Sequence, residues 1–192
     1  MNAESGIIAV ILILLPFTPF IIYYIVFWRR RFFLHSHWDV LIDDFSFSSQ
    51  EFYKLLKEEI YTKKISSLRF TNVSLKEGNM FSSRRRYLRI YWKDLHFDVC
   101  AAPFGKGFFL SWWLVYRYTF WEWVIILIPF FGFWLHSILY KSTYYKHDTG
   151  TMFMKYVHQC VLEIFDELTI SHGVRLLPED ERKPIMNDIF NR

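Results

Sequence analysis

A chain of 192 residues has room for one modest folded domain and a few further segments, which excludes an arrangement of two large domains. The formal net charge of +4 is not the signature of a nucleic-acid-binding protein, although aromatic residues reach 21%. Cys100 and Cys160 have neither CxxC nor zinc-site spacing, so we expect them to be reduced and buried.

The first apolar stretch covers residues 6–28 and contains no charge. This length predicts a helix that crosses a bilayer. A cleaved signal peptide is the competing interpretation, but Glu4 stands where basic residues are expected and no small-residue cleavage site follows. Arg29, Arg30 and Arg31 then predict that the N-terminus lies outside and that the following chain is cytoplasmic.

Residues 32–106 carry the signals of a small α+β domain. A mixed segment over residues 32–47 predicts an extended connector or a short strand. Ser48 or Ser49 is predicted to cap a helix that ends near Tyr61, with Glu51 in its first turn. Strand-like runs follow over residues 67–75, 85–92 and 95–101, which together predict a three-stranded antiparallel sheet.

Residues 108–140 are so aromatic and apolar that the sequence predicts contact with lipid. One straight helix of this length would measure about 50 Å against a hydrocarbon core of about 30 Å, so the stretch must bend or divide. We expect the break near Arg117 and Glu122, which either pair or extend to the interface, where the rings of Trp112 and Trp113 are also favoured. An interfacial limb with a single span and a hairpin that returns to its starting side both remain open.

Residues 151–170 predict a helix with a broad apolar stripe, which needs a packing partner. The simplest partner is the predicted sheet, and this choice favours the hairpin because both pieces must then lie on one side of the membrane.

The predicted fold class is therefore an integral membrane α+β protein, of the plasma or inner membrane and multi-pass. Its parts are an N-terminal transmembrane anchor (1–31), the first part of a cytoplasmic domain (32–106), an aromatic membrane hairpin or interfacial helix plus span (107–141), and a C-terminal amphipathic helix and tail that pack on the domain (142–192).

The densest basic patch of the predicted domain consists of Arg84, Arg85, Arg86 and Arg89. No RNP, helix-turn-helix or finger motif accompanies it, so nucleic acid is not the expected partner. Beside a membrane, the patch predicts binding to anionic lipid headgroups, with an acidic surface of a protein partner or simple solvation as alternatives. Other membrane proteins or a second copy of the chain are further expected partners.

His96, Asp98 and Cys100 alternate along one predicted strand and so point the same way. The set resembles a thiol–imidazole–carboxylate triad. Neighbours two residues apart on a strand are poorly placed for the hydrogen bonds that a triad needs, and a polar sheet face with an incidental cysteine is the simpler explanation.

His35 and His37, with Asp43 and Asp44 nearby, have the chemistry of metal ligands. Interface histidines and a solvated acidic turn explain them more simply, so no metal site is predicted. No common nucleotide-binding, zinc-protease or hydrolase motif occurs in the sequence, and no cofactor is predicted.

The small domain without a catalytic signature predicts a membrane-anchored, non-enzymatic scaffold or accessory subunit of a larger membrane assembly. The alternative is a lipid-handling or lipid-modifying membrane enzyme that uses His96, Asp98 or Arg89. A pore or transporter component is a second alternative, which the small number of polar residues inside the predicted spans disfavours.

Overall fold

The computed structural model describes residues 18, 32–76, 84–126, 128, 131–140 and 143–186. Within these ranges the elements are, in chain order, β1 (Phe32–Ile42), α1 (Ser49–Thr62), β2 (Arg69–Lys76), β3 (Arg84–Trp92), β4 (Leu95–Phe104), β5 (Gly107–Arg117), α2 (Phe120–Ile126), α3 (Gly132–Leu139), α4 (Tyr144–Ser171) and β6 (Ile185–Met186). They belong to two compact units. The sheet unit holds α1, α4 and the sheet, and the helical unit holds α2 and α3.

The sheet has the strand order β2-β3-β4-β5-β1-β6. A two-residue turn joins β4 to β5, and Gly105 in this turn has φ +60°, which a glycine adopts without strain. Gly107 follows at the start of β5, where a Cβ atom would collide with the backbone oxygen of Ile42. The close approach of β1 to β5 therefore depends on a glycine at this position.

The core of the sheet unit lies between one face of the sheet and the helices α1 and α4. Apolar side chains at helical spacing on α1 and α4 meet alternate residues of the central strands. The side chains at its centre, all with 0% exposure, are Phe52, Leu56, Ile60, Leu88, Ile90, Phe97, Val99, Phe108, Leu110, Trp112, Leu114, Val157, Cys160, Val161 and Phe165. Lys63, the C-cap residue of α1, also forms an ion pair with Glu163 of α4.

The prediction that residues 108–140 enter a membrane is wrong. Their first part is β5, a central strand between β4 and β1, in which Phe108, Leu110, Trp112 and Leu114 fill the core. On its other face Ser111 and Val115 are buried as well. A strand that is covered on both faces forms a nearly continuous apolar run, which periodicity alone does not separate from a buried helix.

The second part of this stretch forms the helical unit. α2 and α3 have 7 and 8 residues, and Gly132 begins α3 so close to α2 that a Cβ atom would collide with the backbone oxygens of Ile125 and Ile126. The two helices thus form a tight pair in place of the span or hairpin limb that the sequence predicted after the break near Glu122.

In the part of the chain that the structure describes, no helix combines the length and the apolar character needed to span a bilayer. This finding overturns the predicted integral, multi-pass protein with its N-terminus outside and its domain in the cytoplasm. The predicted anchor over residues 6–28 lies outside the described residues, apart from Thr18.

The predicted fold class is also wrong in its sheet, which has six strands rather than three. The additional strands β1, β5 and β6 come from segments that the sequence predicted as an extended connector or short strand, a membrane segment and a tail. The local predictions for α1, β3 and β4 are confirmed. The predicted C-terminal helix is confirmed as α4, but it begins earlier because the Thr143 side chain caps it by accepting from the Lys146 amide.

Candidate anion-binding cleft

The strands β3 and β4 are paired over only part of their length. Their ladder ends at the pair Leu88–Val99, and beyond it β3 remains paired with β2 alone. At this point Tyr53 of α1 places its hydroxyl between the strands, where it donates to the Arg86 carbonyl at 2.8 Å and accepts from the Ala101 amide at 2.9 Å. A side chain thus takes the place of a strand-to-strand hydrogen bond, and both backbone groups stay paired where the strands part.

Tyr53 is held rigidly in this position. Its side chain is buried, with 6% exposure, and burial raises the pKa of Tyr53. The hydroxyl therefore stays protonated at any physiological pH and can both donate and accept.

The N-terminus of α1 is fixed beside the parted strands. The Ser48 side chain accepts from the Glu51 amide at 3.5 Å, in the Ser-x-x-Glu pattern of a capping box. Phe47 before the cap and Phe52 in the second turn both pack on the Phe108 ring, with centroid distances of 6.4 and 6.2 Å. This staple directs the free amides and the positive end of the helix dipole toward the edge where β3 leaves β4.

These elements enclose a cleft of about 820 Å³, here called the basic cleft. Its cationic lining residues are Lys54, Lys57, Arg84, Arg85 and Arg86. The uncharged polar ones are Ser48, Ser49, Gln50 and Asn72, and the remainder are Phe47, Tyr53, Ala101, Ala102 and Pro103.

No carboxylate lines the basic cleft within the described ranges, and none there forms an ion pair with Arg84, Arg85 or Arg86. Lys54 has one carboxylate neighbour, Glu58, at 3.9 Å, but both side chains are mostly exposed and such a contact is weak. The cleft is therefore a concentration of positive charge that no described lining carboxylate neutralises.

Three of the four predicted arginines line the cleft, and the fourth does not. Arg89 donates from Nε and Nη2 to the two oxygens of Asp98, at 2.6 and 2.7 Å. This bidentate pair raises the pKa of Arg89 and neutralises its charge within the sheet. Arg89 is thus part of a cross-strand contact between β3 and β4.

His96, Asp98 and Cys100 lie in a row on β4, on the sheet face opposite the core. The Nε2 atom of His96 is 4.0 Å from the Asp98 carboxylate, and burial lowers the pKa of His96 to about 4. Burial also raises the pKa of Cys100, so its thiol stays protonated at neutral pH. A protonated thiol is a poor nucleophile, and the carboxylate is already engaged by Arg89, so this geometry does not favour nucleophilic catalysis.

The other predicted contact residues of the sheet unit lie on β5. Trp112 belongs to the core, and its Nε1 donates to Nδ1 of His158 at 3.0 Å. Trp113 points to the opposite face, with 39% exposure, and stacks on His37 at 4.9 Å. Arg117 is exposed at the end of the strand. None of these three lines the basic cleft.

Glu122 belongs to the helical unit, where it has a local structural role. Its carboxylate accepts from the amide and the hydroxyl of Thr119, the latter at 2.8 Å, and lies 3.8 Å from Nε2 of His136. The buried charge is therefore compensated within the first turn of α2 and by the neighbouring helix.

Sequence reasoning missed Tyr53, Lys54, Lys57 and Asn72. Lys54 and Lys57 are three residues apart and so share one face of α1, which the helical pattern indicates. The local sequence, however, does not indicate which strand that face contacts. In the sequence, Tyr53 cannot be distinguished from the other apolar residues of the helix.

No group of three or more His, Cys, Asp or Glu side chains that could hold a metal ion occurs among the residues described. Cys100 and Cys160 are both free and buried. Comparisons of the chain with protein-family models, with curated proteins and with solved structures found no match.

Proposed function

We propose that the chain is a non-enzymatic binding module that holds a phosphate-bearing ligand in the basic cleft and acts as a scaffold for it. One observation carries this proposal: five cationic residues and the amide end of α1 line one cleft, and no carboxylate is among its described lining residues. Guanidinium groups match phosphate oxygens in pairs, and the N-terminus of a helix adds backbone donors and a partial positive charge.

The size of the cleft supports a small ligand. Its volume of about 820 Å³ is in the range of sites that hold metabolites or headgroups. Because side chains alternate along a strand, Arg84 and Arg86 project to the side of β3 that faces α1, and Arg85 projects to the other side. Arg84 and Arg86 are therefore the arginines best placed to contact a phosphate in the cleft.

The lining residues of the cleft also favour a binding function over a catalytic one. The described lining residues include no thiol, imidazole or carboxylate that could act as nucleophile, base or acid. The Tyr53 hydroxyl is engaged by two backbone groups, and burial raises its pKa. These features favour the scaffold over the enzyme alternative.

The proposal is tested by isothermal titration calorimetry of the full chain with pyrophosphate, at low and at moderate salt. We expect binding that weakens as salt increases, because part of the attraction is screened. The variant Arg84→Gln/Arg86→Gln is expected to bind at least about tenfold more weakly, since each charge-assisted hydrogen bond is worth about 1.5 kcal/mol or more.

The matched control is Arg69→Gln/Arg175→Gln, which changes the net charge equally at two exposed arginines outside the cleft lining. This control should keep most of the affinity. Equal losses in the two double variants, or no binding of pyrophosphate to the unmodified chain, would overturn the proposal.

A further inference from the structure

A second and smaller groove adjoins the basic cleft. Its volume is about 290 Å³. Three of its lining residues, Arg85, Ala102 and Pro103, also line the basic cleft, and the other three are Leu41, Phe104 and Phe109. The two cavities therefore adjoin where β3 and β4 part. The basic cleft lies on the sheet face that carries α1, and by strand alternation Leu41, Phe104 and Phe109 lie on the opposite face.

The smaller groove is apolar and open to solvent. Phe104 is 64% exposed and Leu41 is 48% exposed, so both present apolar area to water. The guanidinium carbon of Arg85 lies 5.9 Å from the centre of the Phe109 ring and marks the border between the charged and the apolar surface. It is favourable for a ligand to cover exposed apolar area of this kind, because the area is then removed from water.

We propose that the ligand of the basic cleft is an amphiphile, a phosphate monoester whose alkyl chain passes through the opening between β3 and β4, beside Pro103, into the apolar groove. This inference rests on the proposed function and adds the chemical class of the ligand. It is supported by the three shared lining residues, which flank the opening between β3 and β4, and by the complementary chemistry of the cavities, with cations in one and hydrocarbon in the other.

Other phosphate compounds match the pair of cavities less well. A free phosphate or a sugar phosphate would leave Phe104 and Leu41 uncovered. A nucleotide would bring a base whose edges need hydrogen-bond partners, and apart from Arg85 the described lining of the groove has no polar side chain. An alkyl chain needs only apolar contact.

The test compares the binding of ethyl phosphate and octyl phosphate to the full chain by calorimetry, with octyl phosphate kept below its critical micelle concentration. The two probes share one headgroup and differ only in chain length. Burial of one methylene is worth about fourfold in affinity, so burial of two of the additional methylenes would give about a fifteenfold gain. We expect octyl phosphate to bind at least tenfold more tightly than ethyl phosphate.

Two variants locate this gain. Leu41→Ser and Phe104→Ser change exposed side chains and are expected to remove most of the advantage of octyl phosphate while leaving ethyl phosphate binding unchanged. The control Leu176→Ser changes a leucine of similar exposure, 45%, outside the groove and should leave both affinities unchanged.

The outcomes separate the two proposals. Equal affinity for both probes, with both weakened by Arg84→Gln/Arg86→Gln, would overturn the amphiphile and leave the phosphate-binding function standing. Failure of both probes and of pyrophosphate to bind would overturn both proposals. Binding of 1-octanol as tight as that of octyl phosphate would show that the headgroup adds nothing to the binding of the amphiphile, and would overturn the amphiphile alone, because the titration with pyrophosphate tests the phosphate-binding function separately.

Discussion

Removal of the Tyr53 hydroxyl is expected to destabilise the sheet unit at the point where the basic cleft opens. In Tyr53→Phe the ring remains, but the Ala101 amide and the Arg86 carbonyl lose the partner that they have at 2.9 and 2.8 Å. Ala101 is only 2% exposed, and a buried donor without a partner costs about 1–3 kcal/mol. The Arg86 residue is exposed, so its carbonyl can bond to water and adds less than about 1 kcal/mol.

We therefore expect the free energy of unfolding to fall by about 2–3 kcal/mol, measured by urea denaturation with tryptophan fluorescence. Hydrogen exchange gives a second readout, because the Ala101 amide should exchange faster in the variant than in the unmodified chain. The control is Tyr61→Phe, which removes the same atom from the same helix at a side chain that is 64% exposed, and which should change stability by less than about 0.5 kcal/mol.

A loss below about 0.5 kcal/mol in Tyr53→Phe, with an unchanged exchange rate at Ala101, would refute this reasoning. It would mean that β3 and β4 close on each other without the hydroxyl. In that case the cleft should be lost in the variant, together with the affinity for pyrophosphate.

Three further perturbations have defined outcomes. Glu51→Gln removes the negative charge from the first turn of α1 and should raise the affinity for pyrophosphate about twofold to fivefold in calorimetry, whereas an unchanged affinity would argue against the helix end as part of the site. Burial lowers the pKa values of His35 and His96 to about 4, so these side chains take up protons more readily in the unfolded chain. The free energy of unfolding should therefore be constant above pH 7 and fall between pH 6.5 and 4, by up to about 1.4 kcal/mol per pH unit for each histidine. Urea midpoints that are equal at pH 7 and pH 5 would contradict this. Gly107→Ala places a Cβ atom against a backbone oxygen of β1 and should lower the free energy of unfolding by more than about 2 kcal/mol. Gly105→Ala has open space around the new Cβ atom but a positive φ, and should lower it by about 1 kcal/mol. Thermal melts that reverse this order would disprove the predicted collision.

The sequence indicated the local elements well because their signals act within a few residues. The Ser-x-x-Glu pattern at Ser48 and Glu51 marks the start of α1, and alternation marks β3 and β4. The same signals were ambiguous for β5. Phe108 and Trp112 face the core, while Trp113 faces the other side of the sheet, so the strand has no contrast between an apolar and a polar face.

The residues of the candidate site can likewise be divided into those that the sequence indicated and those that it did not. Consecutive arginines at positions 84–86 were visible as a basic patch, and their contact with a phosphate ligand remains a prediction. The sequence did not show that Arg89 is neutralised by Asp98, because the two residues become neighbours only through the register of β3 and β4. It also did not show that Lys54 and Lys57 of α1 belong to the same cleft.

By itself, then, the sequence determined where α1, β3, β4 and α4 form and that a cluster of arginines begins β3. Only the tertiary structure decided that the aromatic stretch after Gly107 begins as a central strand, and that Tyr53 separates β3 from β4 to open the basic cleft. The physical reason is distance along the chain: Tyr53 bonds to residues 33 and 48 positions away, and hydrogen bonds of this range leave no periodic pattern in the sequence.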